Sequence, residues 1–401
     1  MKKVVLLTFV FFLLLTIKSQ EKRGENKRVI PIVGWYGIPQ DGSIQNFADQ
    51  KKSGIEYNLV YYNTNPEQII KALDVAHKGG IKIILGNTLL KTDTEKFVRL
   101  VKDHPALAGY SLQDEPSVNE FDSLSALVKR VQSIDSNHFC YINLLPNYAK
   151  DTAFGESYEA YIETFLKKVP TLFLSFDNYP IYRDSKSDKL LLRSDWYQNL
   201  EIVSKLTRKR QKPFWAFALT TAHSNYPVPD IEQIRLQVYS NLAYGAQGIQ
   251  YFTYWTPSGQ PQMGFREGPV FNGKLTNVYE IVKTINKEII NLSEVFLNAK
   301  VQFVYHTGSE IPIGTTRLTQ LPSGIKVLDT DGCGAVVSLL KKDRYFFLVV
   351  VNRDLKKTMK LSIQGKKALT RILKDGNKSL IGLKADSQDV DPGGIEVYRW
   401  R

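Results

Sequence analysis

The chain has 401 residues, 43% of them hydrophobic, with two cysteines and a formal charge of +13. Two cysteines exclude a disulfide framework, and the length exceeds what one hydrophobic core usually serves, so one large domain and a smaller one are expected. The positive balance invites nucleic acid or an acidic polysaccharide as partner, but Lys and Arg are spread along helical stretches such as 205–212.

Met1-Lys2-Lys3, a nearly unbroken apolar run from Val4 to Ile17 and then Lys18-Ser19-Gln20 have the three regions of a secretory signal. The run is about 14 residues, short of the ~20 that span a bilayer, so cleavage is expected over anchoring. Residues 1–20 are therefore read as a signal peptide, and the product as periplasmic or extracellular with no stable membrane insertion. Its removal takes away three lysines, leaving +10. Export argues against nucleic acid as a partner.

From Val29 to Pro257, short β-rich runs alternate with longer amphipathic stretches. The runs are Val29–Trp35, Tyr57–Tyr62, Lys82–Leu85, Leu107–Leu112, Phe139–Leu144, Thr171–Phe176, Pro213–Ala218 and Gly248–Tyr254. Helices are expected at Asn65–Lys78, Glu95–Lys102, Glu120–Ile134 and Ile231–Tyr244, the last capped by Asp230 with Gln233 three residues on. Eight β/α units without a Gly-rich phosphate turn predict a (β/α)₈ TIM barrel over residues 29–297, closed by a helix at Asn277–Leu292. Beyond it the runs Val301–Tyr305, Gly324–Leu328, Ala335–Leu340, Tyr345–Asn352, Thr358–Ile363, Leu369–Ile372 and Ile395–Trp400 are strands alone, predicting an all-β sandwich over 298–401. Cys140 and Cys333 fall in apolar runs and read as buried thiols.

A TIM barrel does its chemistry where the strands end. The fourth run continues into Gln113-Asp114-Glu115-Pro116, two like charges before a strand-breaking Pro, a poor stabiliser but a good way to present a carboxyl. Cleavage of a glycosidic bond needs one carboxylic acid to protonate the leaving oxygen and a second carboxylate on the other side of the sugar. Glu115 is taken as the acid, against the alternative that it or Asp114 merely caps the next helix. Asp177, closing the sixth run in Phe176-Asp177-Asn178-Tyr179-Pro180, is the first choice for its partner. Glu267 in the loop after the eighth run is second, and Asp114, expected to point the other way along its strand, is third.

The layout resembles that of clan A glycoside hydrolases, particularly exported family 42-like proteins of Bacteroidetes. The resemblance rests on Asp114-Glu115-Pro116, Phe214-Trp215-Ala216-Phe217, Tyr244-Gly245-Ala246-Gln247-Gly248 and Gly273-Lys274-Leu275-Thr276-Asn277. It implies an acid/base Glu at Glu115, where the clan's preceding Asn is replaced by Asp114. It also implies a nucleophilic Glu at the end of the seventh strand, where this chain has Leu219 and Thr220. That departure favours an inverting reaction, or a barrel that has lost hydrolysis.

Sugars stack their C–H faces on aromatic rings and need amide or carboxylate partners for their hydroxyls. The strand ends supply Trp35, Tyr36, Asn87, Asn143, Tyr179, His223, Tyr254 and Trp255 as candidate substrate contacts, joined by Asp114 and Glu267. The five histidines lack zinc-helix spacing and no Gly-x-Ser-x-Gly elbow occurs, so neither metal nor cofactor is expected. The expected activity is hydrolysis of O-glycosidic bonds in a plant or host oligosaccharide or polysaccharide. The alternatives are a non-catalytic glycan-binding barrel and an adhesion module that binds through its sandwich.

Overall fold

A computed structural model describes residues 28–401. The signal-peptide reading of residues 1–20 therefore falls outside the described residues. Eight parallel strands form a closed barrel: β1 (Ile32–Trp35), β2 (Tyr57–Tyr61), β3 (Lys82–Gly86), β4 (Leu107–Asp114), β5 (Phe139–Leu144), β6 (Leu174–Phe176), β7 (Phe214–Leu219) and β8 (Gly248–Phe252), with β8 pairing back onto β1.

Helices follow the strands where sequence signals place their starts. Asn65 caps Pro66–Lys78, with Pro at the first turn. Asp230 caps Ile231–Ala243: its carboxylate accepts from the backbone N–H of Gln233 at 2.8 Å, and the Gln233 side chain donates back at 2.7 Å. The closing helix runs Asn277–Phe296, a turn longer than expected.

Two apolar layers hold the barrel. The outer one packs strand against helix and includes Ile83, Leu85, Tyr110, Ile249 and Tyr251. The inner one fills the barrel with Val33, Trp35, Leu59, Ile84, Ala108, Tyr141, Phe173, Trp215, Phe217 and Leu219. At its base, where the strands begin, Phe173 and Trp215 stack with centroids 3.9 Å apart, flanked by Phe139 and Tyr57. Gly248 is required there: a Cβ would lie 2.5 Å from the Trp215 ring.

After the closing helix come β9 (Lys300–His306), β10 (Ile325–Asp329), β11 (Ala335–Lys342), β12 (Tyr345–Asn352), β13 (Met359–Gly365), β14 (Leu369–Ile372), β15 (Lys378–Ile381), β16 (Asp386–Val390) and β17 (Ile395–Trp400). They build a six-stranded sheet, β9-β11-β12-β17-β14-β15, facing a three-stranded one, β10-β13-β16. β15 and β16 escape the sequence reading because they are polar, exposed sheet edges with no alternation to reveal them. β11 and β12 read as continuous apolar runs because both faces are covered. Val337, Leu348 and Val350 face the sandwich core, while Val336, Leu340, Phe347, Val349 and Val351 join the barrel's outer core. Tyr244 and His306 hydrogen-bond across that junction at 2.8 Å. Cys140 is buried as expected, but Cys333 is only half-buried, since Thr330–Gly334 forms a turn rather than part of a strand. No helix among the described residues is long and apolar enough to cross a membrane.

Candidate active site

Regular alternation would send Asp114 and Glu115 to opposite faces. Two local features change this. The β4–β5 register shifts between Ser111 and Gln113, a bulge that adds a residue on β4. Glu115 then adopts a left-handed backbone, φ 47°, while its N–H still bonds to the carbonyl of Asn143 at 2.8 Å. A non-glycine residue in that region is held by its surroundings, as residues at reacting centres often are. Both carboxyls consequently converge on the mouth, which corrects the expectation that Asp114 points away.

Asp177 follows β6 and is buried. Asn143, at the end of β5, joins it to Asp114: the amide donates to Asp177 Oδ1 at 2.8 Å and to Asp114 Oδ1 at 3.2 Å. The orientation of that amide is set from below. Ser175 Oγ donates to Asn143 Oδ1 at 2.9 Å, Gln250 Nε2 donates to Ser175 at 2.8 Å, and Tyr141 donates to Gln250 Oε1 at 2.7 Å. Each member of this relay has a partner, so the buried polar layer is satisfied and rigid. Asn143 is thus a positioning residue for two acids.

Burial raises the proton affinity of all three carboxyls, and repulsion adds to it at Asp114 and Asp177. Asp114 is pushed up to about 7 by burial and then by the charge of Glu115, with the Asn143 hydrogen bond opposing. Burial raises Glu115, and a hydrogen-bonding contact with Asp177 pulls it back. Asp177 rises well above the usual carboxylate range, through burial first and then the charges of Glu115 and Asp114. The Glu115 and Asp177 side chains lie in hydrogen-bonding contact, which two ionised carboxylates cannot make, so the pair shares a proton.

The candidate contacts divide. Trp35 lies under the mouth against Tyr141 and Phe217. With Tyr36, Tyr61 and Trp255 it lines a groove of about 550 Å³ on the β1, β2 and β8 side. On the opposite wing, Tyr179 packs near His223, Tyr226 and Phe252. His223 is buried beside Phe265, which lowers its proton affinity and keeps it neutral, with Nδ1 against the carbonyl of Thr221 at 3.0 Å.

Three candidates stand apart from the mouth. The Asn87 amide is used locally, donating to the Tyr62 carbonyl and accepting from the Leu89 N–H at 2.8 Å. Tyr254 lies outside the barrel wall in the outer core, against Gly34 and near Tyr279, because β8 stops at Phe252 and the alternation ends there. Glu267 is exposed and is not among the charges acting on the carboxyl trio, and Arg266 beside it bonds instead to the Gly264 carbonyl. Sequence reasoning missed Tyr61, Tyr148, Arg193, Tyr226 and the Gln250–Ser175 relay. The loop residues have no periodic pattern, but Ser175 and Gln250 are polar residues inside otherwise apolar strands, a signal that was present. Among the described residues no group of three or more His, Cys, Asp and Glu is arranged to hold a metal ion.

No protein-family model matches the chain, and no curated protein matches it in sequence. Solved structures do match in shape, glycosidases among them. A family 27 β-L-arabinopyranosidase from Geobacillus stearothermophilus, complexed with arabinose, aligns over 93% of this chain and 97% of its own at TM-score 0.52 and 8% identity. A β-galactosidase from the psychrophilic Marinomonas ef1 aligns over 66% of this chain at TM-score 0.50 and 12% identity, and this chain spans only 60% of its length. At such identities the likeness speaks for the fold alone: a TIM barrel followed by antiparallel sheets.

Proposed function

We propose that the chain is a glycoside hydrolase in which Asp177 and Glu115 form the catalytic pair. The observation that carries this is the carboxyl trio at the barrel mouth, held by Asn143 and sharing protons unequally. It reverses the roles expected from sequence. Asp177, the more buried and the one held well above the usual carboxylate range, suits the acid that protonates the leaving glycosidic oxygen. Glu115, nearer solvent and pulled back by its contact with Asp177, suits the carboxylate on the other side of the sugar.

The two side chains touch, so a substrate has to part them. Retaining enzymes hold their carboxyls roughly 5–5.5 Å apart and inverting ones roughly 6.5–9.5 Å, and contact in the free state supports the shorter spacing. Glu115 would then attack the anomeric carbon as the C–O bond breaks and the Asp177 proton passes to the departing oxygen. Asp177, now ionised, would take a proton from the water that displaces Glu115. Asp114 would accept a hydrogen bond from a sugar hydroxyl.

Substrates are oligosaccharides or polysaccharides laid across the aromatic mouth, acted on outside the cytoplasm after removal of residues 1–20. Purified protein screened against a glycan library, with product anomers followed by NMR, tests the assignment. Glu115→Gln and Asp177→Asn should each lower turnover by roughly 10²–10⁴-fold. Full activity in either variant would sink it. Binding without turnover in the unaltered protein would favour the glycan-binding reading, which draws on the absence of a carboxylate after β7, where Thr220 and Thr221 bond instead to the Thr253 carbonyl.

A further inference from the structure

A cation stands on the β5–β7 wing of the mouth. Arg193 follows the hairpin Ile181–Arg183 with Leu190–Leu192 that the chain inserts after β6. Its guanidinium carbon lies 3.9 Å from the centroid of the Tyr148 ring and 5.6 Å from that of Tyr182. Among the described residues no carboxylate comes within ion-pair distance of it, whereas Arg183 in the same hairpin pairs with Asp188 at 3.4 Å. Its Nε is buried without a hydrogen-bond partner. A buried charged donor left unmatched is costly, and a site that keeps one is organised for something else.

The surroundings are built to hold it there. Asn178 donates to Asn147 at 3.0 Å and to Asn199 at 2.7 Å, and Asn147 donates to the Asp195 carbonyl at 3.2 Å. The Arg193 N–H itself bonds to the Pro180 carbonyl at 2.7 Å. These bonds tie the loop after β5, which carries Tyr148, to the loop after β6, which carries Arg193. Asn178, next to Asp177 in the chain, bonds to Asn147, next to Tyr148, which places the stacked guanidinium on the same rim as the carboxyl pair.

We propose that Arg193 on Tyr148 is a subsite for an anionic group of the glycan, a uronate carboxylate or a sulfate ester, on a sugar next to the bond that is cleaved. A guanidinium stacked by its face keeps its N–H edge free, and that planar fork matches a carboxylate or sulfate in a bidentate grip. Repulsion by the neighbouring trio is reduced because burial raises the proton affinity of its acids. The inference deepens the glycosidase reading and rests on it for the neighbouring bond, but not for the binding.

The test is an array of uronate-containing, sulfated and neutral oligosaccharides, with affinities of the hits measured by calorimetry. Acidic glycans should bind roughly 10- to 100-fold more tightly than their carboxyl-reduced or desulfated forms. Arg193→Gln should erase most of that ratio, while Arg193→Lys, which keeps the charge without the fork, should keep part of it. Whether the uronate or the sulfate arm responds identifies the group. The inference is overturned if no acidic glycan binds, if neutral forms bind equally well, or if Arg193→Gln leaves the ratio intact. Turnover is read separately. Arg193-dependent acidic binding without hydrolysis removes the enzyme assignment alone, and hydrolysis indifferent to Arg193 removes this subsite alone.

Discussion

Asp114→Asn removes one carboxyl from the trio while leaving an oxygen to accept the Asn143 hydrogen bond. In the folded protein the Asp114 carboxyl is raised from its ordinary 3.8 to about 7. The native state therefore holds a proton that the unfolded chain has released, over a window from roughly pH 4 to 7. The stability tied to that proton is complete below about pH 4 and is lost as pH rises through 7. Each pKa unit corresponds to about 1.4 kcal/mol, so the shift has a ceiling of about 4 kcal/mol. Because Asp114 reaches solvent at the rim, screening reduces the expected figure to about 1–2 kcal/mol. The variant should thus be about 1–2 kcal/mol more stable than the unaltered protein at pH 8 and equal to it at pH 4, in urea unfolding followed by tryptophan fluorescence. An equal gain at both pH values, or a loss at pH 8, would refute the account of the trio as mutually repelling acids.

His306 tests the opposite sign. Burial and the charge of Arg353 lower it from 6.5 to about 3, so its contribution is complete above about pH 6.5 and is lost as pH falls toward 3. His306→Gln should flatten that part of the acid-unfolding profile, and an unchanged slope between pH 6.5 and 4 would count against it. Ending the chain at residue 297 strips Val336, Phe347, Val349 and Val351 from the core they share with the barrel helices. The truncated barrel should be insoluble on expression, and a soluble product with native circular dichroism would show that the shared core is dispensable.

The barrel was legible because its information is local and periodic: eight β-rich runs, a cap at Asp230, and a strand broken by Pro116. The rule that chemistry sits at strand ends singles out Glu115 and Asp177 from the sequence alone. It leaves their mutual arrangement open, since a one-residue bulge and one left-handed φ decide where the Asp114 and Glu115 side chains go. Asn87 and Tyr254 were misplaced for the same kind of reason. Whether a rim residue faces the mouth, its own loop or the helices depends on where the strand stops, which is the least certain boundary in any sequence. Tyr148 and Arg193 meet only through two loops folded toward each other by amides 31 residues apart. No pattern along the chain announces such a meeting.

The stacked Phe173 and Trp215 give the barrel a floor. If the chain is a glycosidase, a glycan would not thread along the axis but would lie sideways over a single opening, which would admit the polymer, supply the attacking water and discharge both fragments. Turnover on long chains would then be set by how quickly the two halves lift off the wings, and the firmest grip at either wing would become the slowest step.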